Sequence, residues 1–150
     1  MKHSLERDPV VLVSDVARMG RTLADARARD HGMTLAQWKL LARLDRQPGM
    51  SQNELAALLE VEPITVGRLI DRLERRGMVE RQPDAQDRRI WRLHLTPAAQ
   101  PMLKTIMKAR SELNDILTAG LSKKDIESVI DCLLQMKSNL SGTRASAKIA

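Results

Sequence analysis

Apolar residues recur along this chain at two different periods, and the changes of period divide it into elements. After Pro9, a residue tolerated in a first helical turn, Val10, Val13, Val16, Ala17, Leu23 and Ala24 fall at helical intervals. They predict a long first helix to about Asp30, with His31-Gly32 as its stop. Thr34-Leu35-Ala36-Gln37 has the capping-box pattern, and Trp38, Leu41, Ala42 and Leu44 mark a second helix ending at Pro48-Gly49. Ser51-Gln52-Asn53-Glu54 repeats that start signal for a third, shorter helix through Leu58 or Leu59. Pro63 opens a fourth, in which Val66, Leu69, Ile70 and Leu73 form an apolar stripe up to a stop at Gly77. That stripe must face the protein, so Ile64, Thr65, Gly67, Arg68, Asp71, Arg72 and Arg75 face outward, towards solvent or a ligand.

The period then shortens towards two residues over 78–82 and again over 90–95, with turn-forming Pro83-Asp84-Ala85-Gln86-Asp87 between them, which predicts a β-hairpin. Thr96-Pro97 is an N-cap with a first-turn proline and begins a long helix running to Gly120. Ser122 caps a last helix carrying Ile126, Val129, Ile130, Leu133, Leu134 and Met136, and the small, polar ending SGTRASAKIA is expected to fray. The predicted fold is mainly α with a small β component: a winged helix-turn-helix over 34–96, and a helical region from 1–33 and 97–150. The end helices are too apolar on one side to stand alone. A second copy of the chain, interleaved about a twofold axis, is the economical partner, so a homodimer is expected.

Composition narrows the function. The 150 residues suffice for one well-buried domain, or a small module with an added helical platform, and the net charge of +6 favours polyanions. Phe and Tyr are absent, so the core is built from aliphatic residues and eight Met. Cys132 is the single cysteine, which excludes an internal disulfide and suits a reducing compartment; with Asp131 beside it and no adjacent His, a redox role is not favoured. The apolar run at 10–13 is too short for a signal-peptide core or a membrane span, so no membrane association and a cytoplasmic location are expected. His3, His31 and His94 make no metal cluster, and no cofactor motif is present. Paired acid–base groups, a nucleophile beside a base and a phosphate-cradling glycine loop are also missing, which argues against an enzyme.

The outward face of the fourth helix suits double-stranded DNA. Arg68 stands near the helix start, where a guanidinium can donate two hydrogen bonds to guanine O6 and N7 in the major groove. Thr65 can meet a phosphate or a thymine methyl, and Ile64 is an odd solvent-facing isoleucine unless an apolar surface meets it. Gly67 is unfavourable in a helix interior, which is explicable if a backbone must approach closely there. At the hairpin end, Asp87 can hold one of Arg88 and Arg89 while the other projects into the minor groove. Alone, that triplet is a surface ion pair of little worth; its place directly after a helix-turn-helix changes its meaning. Ser51 and Gln52, at the start of the third helix, suit a phosphate or simply a cap. Arg75, Arg76 and Arg81 can add phosphate contacts, or Glu74 and Glu80 can tie them up locally. A winged-helix module that docks on a protein instead of DNA is the alternative reading.

The run SQNELA, the threonine-containing helix with LE and G, then DRR and LT resembles the MarR family of bacterial transcriptional regulators, and within it the SlyA branch. That resemblance implies a homodimeric winged-helix repressor or anti-repressor on a near-palindromic operator. It places Thr65 and Arg68 on the major-groove helix, and Asp87, Arg88 and Arg89 on the wing. It also implies a small aromatic carboxylate or thioester effector held between the dimerisation helices and the winged domain, near Trp38 and Arg18 or His31. By the burial habits of tryptophan, Trp38 reads first as core.

Overall fold

The computed structural model describes residues 5–147, with side chains through residue 142. Six α-helices and three short strands follow in the order α1 (Pro9–Asp30), α2 (Leu35–Arg46), β1 (Met50–Ser51), α3 (Gln52–Leu59), α4 (Pro63–Arg75), β2 (Val79–Pro83), β3 (Trp91–Leu95), α5 (Gln100–Thr118) and α6 (Lys123–Ala147). Backbone contacts divide the chain into two compact units, Met1–Leu113 and Asn114–Ala150.

The helix starts follow from local chemistry. Asp8 caps α1 by accepting from the backbone N–H groups of Val10 and Val11, and Pro9 needs no partner for a nitrogen that has no hydrogen. Both expected capping boxes form, Thr34 with Gln37 before α2 and Ser51 with Glu54 before α3. Left-handed backbone at Gly32 and Gly77 ends α1 and α4 where those stops were expected.

The core of the first unit gathers Trp38, Leu40, Leu41 and Leu44 from α2, Leu55 from α3, and Val66, Leu69, Ile70 and Leu73 from α4. Val79 and Leu93 close it from the sheet, Ala28 joins from the end of α1, and Leu103 joins from α5. The stripe expected on α4 is thus the buried one. In the second unit, α6 is exposed along the described part of its length, and only Ile126 is half-buried.

Three local features differ from the sequence expectations. The sheet has three strands in the order β1-β3-β2, all antiparallel, because Met50 and Ser51 pair with Leu93 and Arg92. Two residues are too few to show a period. The helix after Thr96-Pro97 begins with a 3-10 turn, Pro97–Ala99, before α5 proper. The chain end does not fray at residue 141: α6 continues through Ala147, and the expectation for residues 148–150 lies outside the described residues.

Candidate nucleic-acid interface

Burying Val66, Leu69, Ile70 and Leu73 turns Ile64, Thr65, Arg68, Asp71, Arg72 and Arg75 outward on the opposite side of α4. The side chains of Arg68 and Arg72 have no hydrogen-bond or ion-pair partner among the described residues. Arg75 is tethered only through Nε to the Asp71 carbonyl at 3.3 Å. Ile64, two-thirds exposed, is one of the most open aliphatic side chains of this unit. The carboxylates on this face are engaged: Arg81 of β2 pairs with Asp71 (2.6 Å) and with Glu74. Cations therefore dominate the open face of α4.

The start of α3 lies against the start of α4. Ser51 Oγ accepts from the Glu54 N–H (3.2 Å), while Glu54 accepts from the Ser51 N–H (2.7 Å). That backbone bond, more than the nearby Arg92 guanidinium, holds the Glu54 carboxyl below its ordinary range. Gln52 spends its amide within the protein, donating from Nε2 to the Pro63 carbonyl at 2.9 Å. Gly67 is the residue this side chain packs on, which accounts for a glycine inside α4.

The wing is organised by two aspartates. Asp84 accepts from the Gln86 and Asp87 N–H groups (2.8 and 3.0 Å) with one oxygen and from Arg92 Nε (2.7 Å) with the other. The Arg92 bond is the main reason its pKa falls to about 2. Asp87 clamps Arg89 through the backbone N–H, Nε and Nη2, each at 3.0 Å, so Arg89 is the held arginine. The fork also lowers the Asp87 carboxyl and raises the Arg89 guanidinium. Arg88, between them, is exposed and without a partner among the described residues. Sequence reasoning did not find the Asp84–Arg92 pair, because its members lie eight positions apart on either side of a loop. The turn chemistry of Asp84 was the available signal.

Trp38 is core, and His31 caps α1 with its ring 6.0 Å from the indole. Arg18 lies apart from that pair in its bonding, tied to Asp15 on the surface of α1 at 2.9 Å. Two cationic hollows adjoin the winged unit. One, of about 500 Å³, joins Arg29, Gln37, Arg72, Arg75 and Arg76. The other, of about 340 Å³, sets Lys39, Arg43, Arg46 and Arg110 around Leu58 and Leu59. Neither includes Arg18, His31 or Trp38. Among the described residues no group of His, Cys, Asp and Glu is placed to hold a metal ion, and no helix is long and apolar enough to cross a membrane.

A capped α3, an amphipathic α4 with an open cationic face and a hairpin tipped by a free arginine form one continuous winged helix-turn-helix. The sequence model of the MarR family matches residues 33–91, the span from the start of α2 to the first residue of β3. The chain is similar in structure to the transcriptional regulator SlyA (28% identity, TM-score 0.78) over 91% of this chain and 96% of that one. It is similar to MepR of S. aureus in a DNA complex (27% identity, TM-score 0.75), over 91% of this chain and 99% of that one. It shares its fold with MarR itself (24% identity, TM-score 0.82), over 97% and 99% of the two chains. The MarR-type winged helix thus sits within a chain whose fold, helices included, extends over nearly the full length of these relatives.

Proposed function

We propose that this protein is a sequence-specific, DNA-binding transcriptional regulator of the SlyA-like branch, a repressor or anti-repressor acting as a homodimer on a near-palindromic operator. The observation that carries the reading is the pairing pattern. Within one winged module the carboxylates Asp71, Glu74 and Asp87 are neutralised by Arg81 and Arg89, while Arg68, Arg72 and Arg88 stay open. Arg68, Thr65 and Ile64 would meet base edges, Arg72 and Arg75 phosphates, and Arg88 the minor groove beside them. Ser51 and Gln52 would approach the backbone at the start of α3, and Asp87 and Arg89 shape the wing. That MepR binds DNA with this fold supports the reading.

Exposed apolar side chains on α1 (Val10, Val13, Val16) and on α6 (Val129, Ile130, Leu133) support a second copy as partner. In this reading residues 1–33 and 97–150 form the dimerisation region and 34–96 the reading head, and two α4 helices enter successive major grooves about 34–36 Å apart. A small aromatic carboxylate or thioester would favour another spacing and release the DNA. The hollow of Lys39, Arg43, Arg46 and Arg110 over Leu58 and Leu59 suits such a molecule, a carboxylate on the cations and a ring on the leucines.

Selection of bound fragments from genomic DNA by the purified protein, followed by anisotropy titrations at several salt concentrations, tests this. A steep linear fall of log affinity with log salt is expected, with a preference for the selected fragments over random duplex. Absence of duplex binding at low salt would replace it with the protein-docking alternative. Adding small aromatic acids to the same titration addresses the effector.

A further inference from the structure

The open arginines of α4 and of the wing can meet one duplex together only if the wing tip is held at a set place beside the helices. Packing does not hold the tip there: none of residues 84–91 is buried, and the third strand, β1, pairs with β3 only at Arg92 and Leu93, short of the tip. Arg92 spans the gap instead. From β3 its Nε donates to Asp84 Oδ2 at 2.7 Å, and its Nη1 donates to Glu54 Oε2 at 3.1 Å and to the Gly49 carbonyl at 3.4 Å. The same Glu54 oxygen accepts the Ser51 N–H that starts α3. The other Asp84 oxygen accepts the Asp87 N–H, and Asp87 grips Arg89. An unbroken relay therefore runs Ser51, Glu54, Arg92, Asp84, Asp87, Arg89, from the first turn of α3 to the wing tip. A planar guanidinium fixes the direction of each acceptor, which a lysine ammonium does not.

We infer that Arg92 is a positioning residue: by bridging Glu54 and Asp84 it fixes the wing against α3 and α4, and it acts on DNA only through the wing. The inference rests on the DNA-binding reading above. Its electrostatic signature separates it from simple charge. Removing the Asp84 carboxylate makes the protein more cationic, so bulk electrostatics favours tighter binding, whereas a displaced wing weakens it.

The test measures affinity for one selected duplex with the full-length chain and its variants Arg92→Gln, Asp84→Ala, Arg88→Ala and the pair Arg92→Gln/Arg88→Ala, with thermal unfolding of each. Arg92→Gln is expected to weaken binding roughly five- to fiftyfold in the native background, and less than about twofold once Arg88 is already alanine. Asp84→Ala is expected to weaken binding despite its charge. The inference is overturned if Asp84→Ala binds as tightly as the native chain or tighter, or if the Arg92→Gln loss is the same in both backgrounds. Either result leaves DNA binding standing. A native protein that binds no duplex removes both.

Discussion

Gln52 closes over the backbone at Gly67: a Cβ there would lie 2.9 Å from the Gln52 Nε2 that donates to the Pro63 carbonyl. Two effects of similar size then compete on substitution. Gly→Ala in a helix interior gains about 1 kcal/mol, and a displaced Gln52 loses a hydrogen bond worth about 0.5–1.5 kcal/mol. Gly67→Ala should therefore leave stability within about 1 kcal/mol of the native value. In a Gln52→Ala background, where nothing occupies that space, the same change should stabilise by roughly 0.5–1 kcal/mol. Urea denaturation of the four proteins measures the difference, and equal effects of Gly67→Ala in both backgrounds would remove the coupling.

Asp84 gives the wing an acid limit. Its carboxyl is depressed from 3.8 to about 2, first by the Arg92 bond and then by the Asp87 and Gln86 N–H groups. A depressed acid contributes its stabilisation fully above the unfolded value near 3.8 and loses it as pH falls through about 2. Carboxyl chemical shifts followed by NMR should place the Asp84 midpoint near 2 in the native chain, and Arg92→Gln should move it up towards 3.8. A native midpoint already near the ordinary value would mean that the bridge is open in solution.

These two relations show what the chain disclosed as a string and what it withheld. The termini of α1, α2, α3 and α4 were legible because Pro9, Thr34, Ser51, Pro63, Gly32 and Gly77 act through bonds or backbone angles spanning a few residues. The buried stripe of α4 was legible because one period repeats over thirteen residues. Strand β1 was not, since its two residues are extended only through pairing with Leu93 and Arg92. The division between held and free arginines was readable only as an alternative at Asp87. Which arginine it grips, and that Arg92 reaches Glu54 thirty-eight positions away, depend on how the strands and helices pack. Gly67 announced a close approach expected of a backbone, and the fold supplied the Gln52 side chain instead.

Arg68 and Arg88 should separate by the kind of loss each causes. Arg68 lies on the helix face that would read base edges, so Arg68→Ala should cost about 1–3 kcal/mol and relax preference at one base position. Arg88 would meet backbone and groove shape, so Arg88→Ala should weaken all duplexes alike and reduce the salt slope by about 1. Affinities for a panel of single-base variants of the selected duplex, at two or more salt concentrations, resolve the two patterns. Negligible loss from both substitutions would take the roles away from these residues.

The exposed apolar residues of α6 make the dimer testable without touching the reading head. Val129, Ile130, Leu133 and Leu134 are each roughly half exposed in the single chain, and none belongs to the core that holds α2, α3, α4 and the sheet. If a second copy covers them, Leu133→Glu puts an unpaired carboxylate into an apolar contact in both subunits, at a cost of about 3–5 kcal/mol for each buried charge. Light scattering should then show the native chain as a dimer and the variant shifted to monomer, while the far-ultraviolet helical signal is kept. Affinity for a palindromic duplex should fall much more steeply than affinity for a half-site, because only the palindrome rewards two linked heads. A native chain that is monomeric at micromolar concentration would remove the dimer, and a variant losing both duplexes equally would place Leu133 in the folding of the head instead.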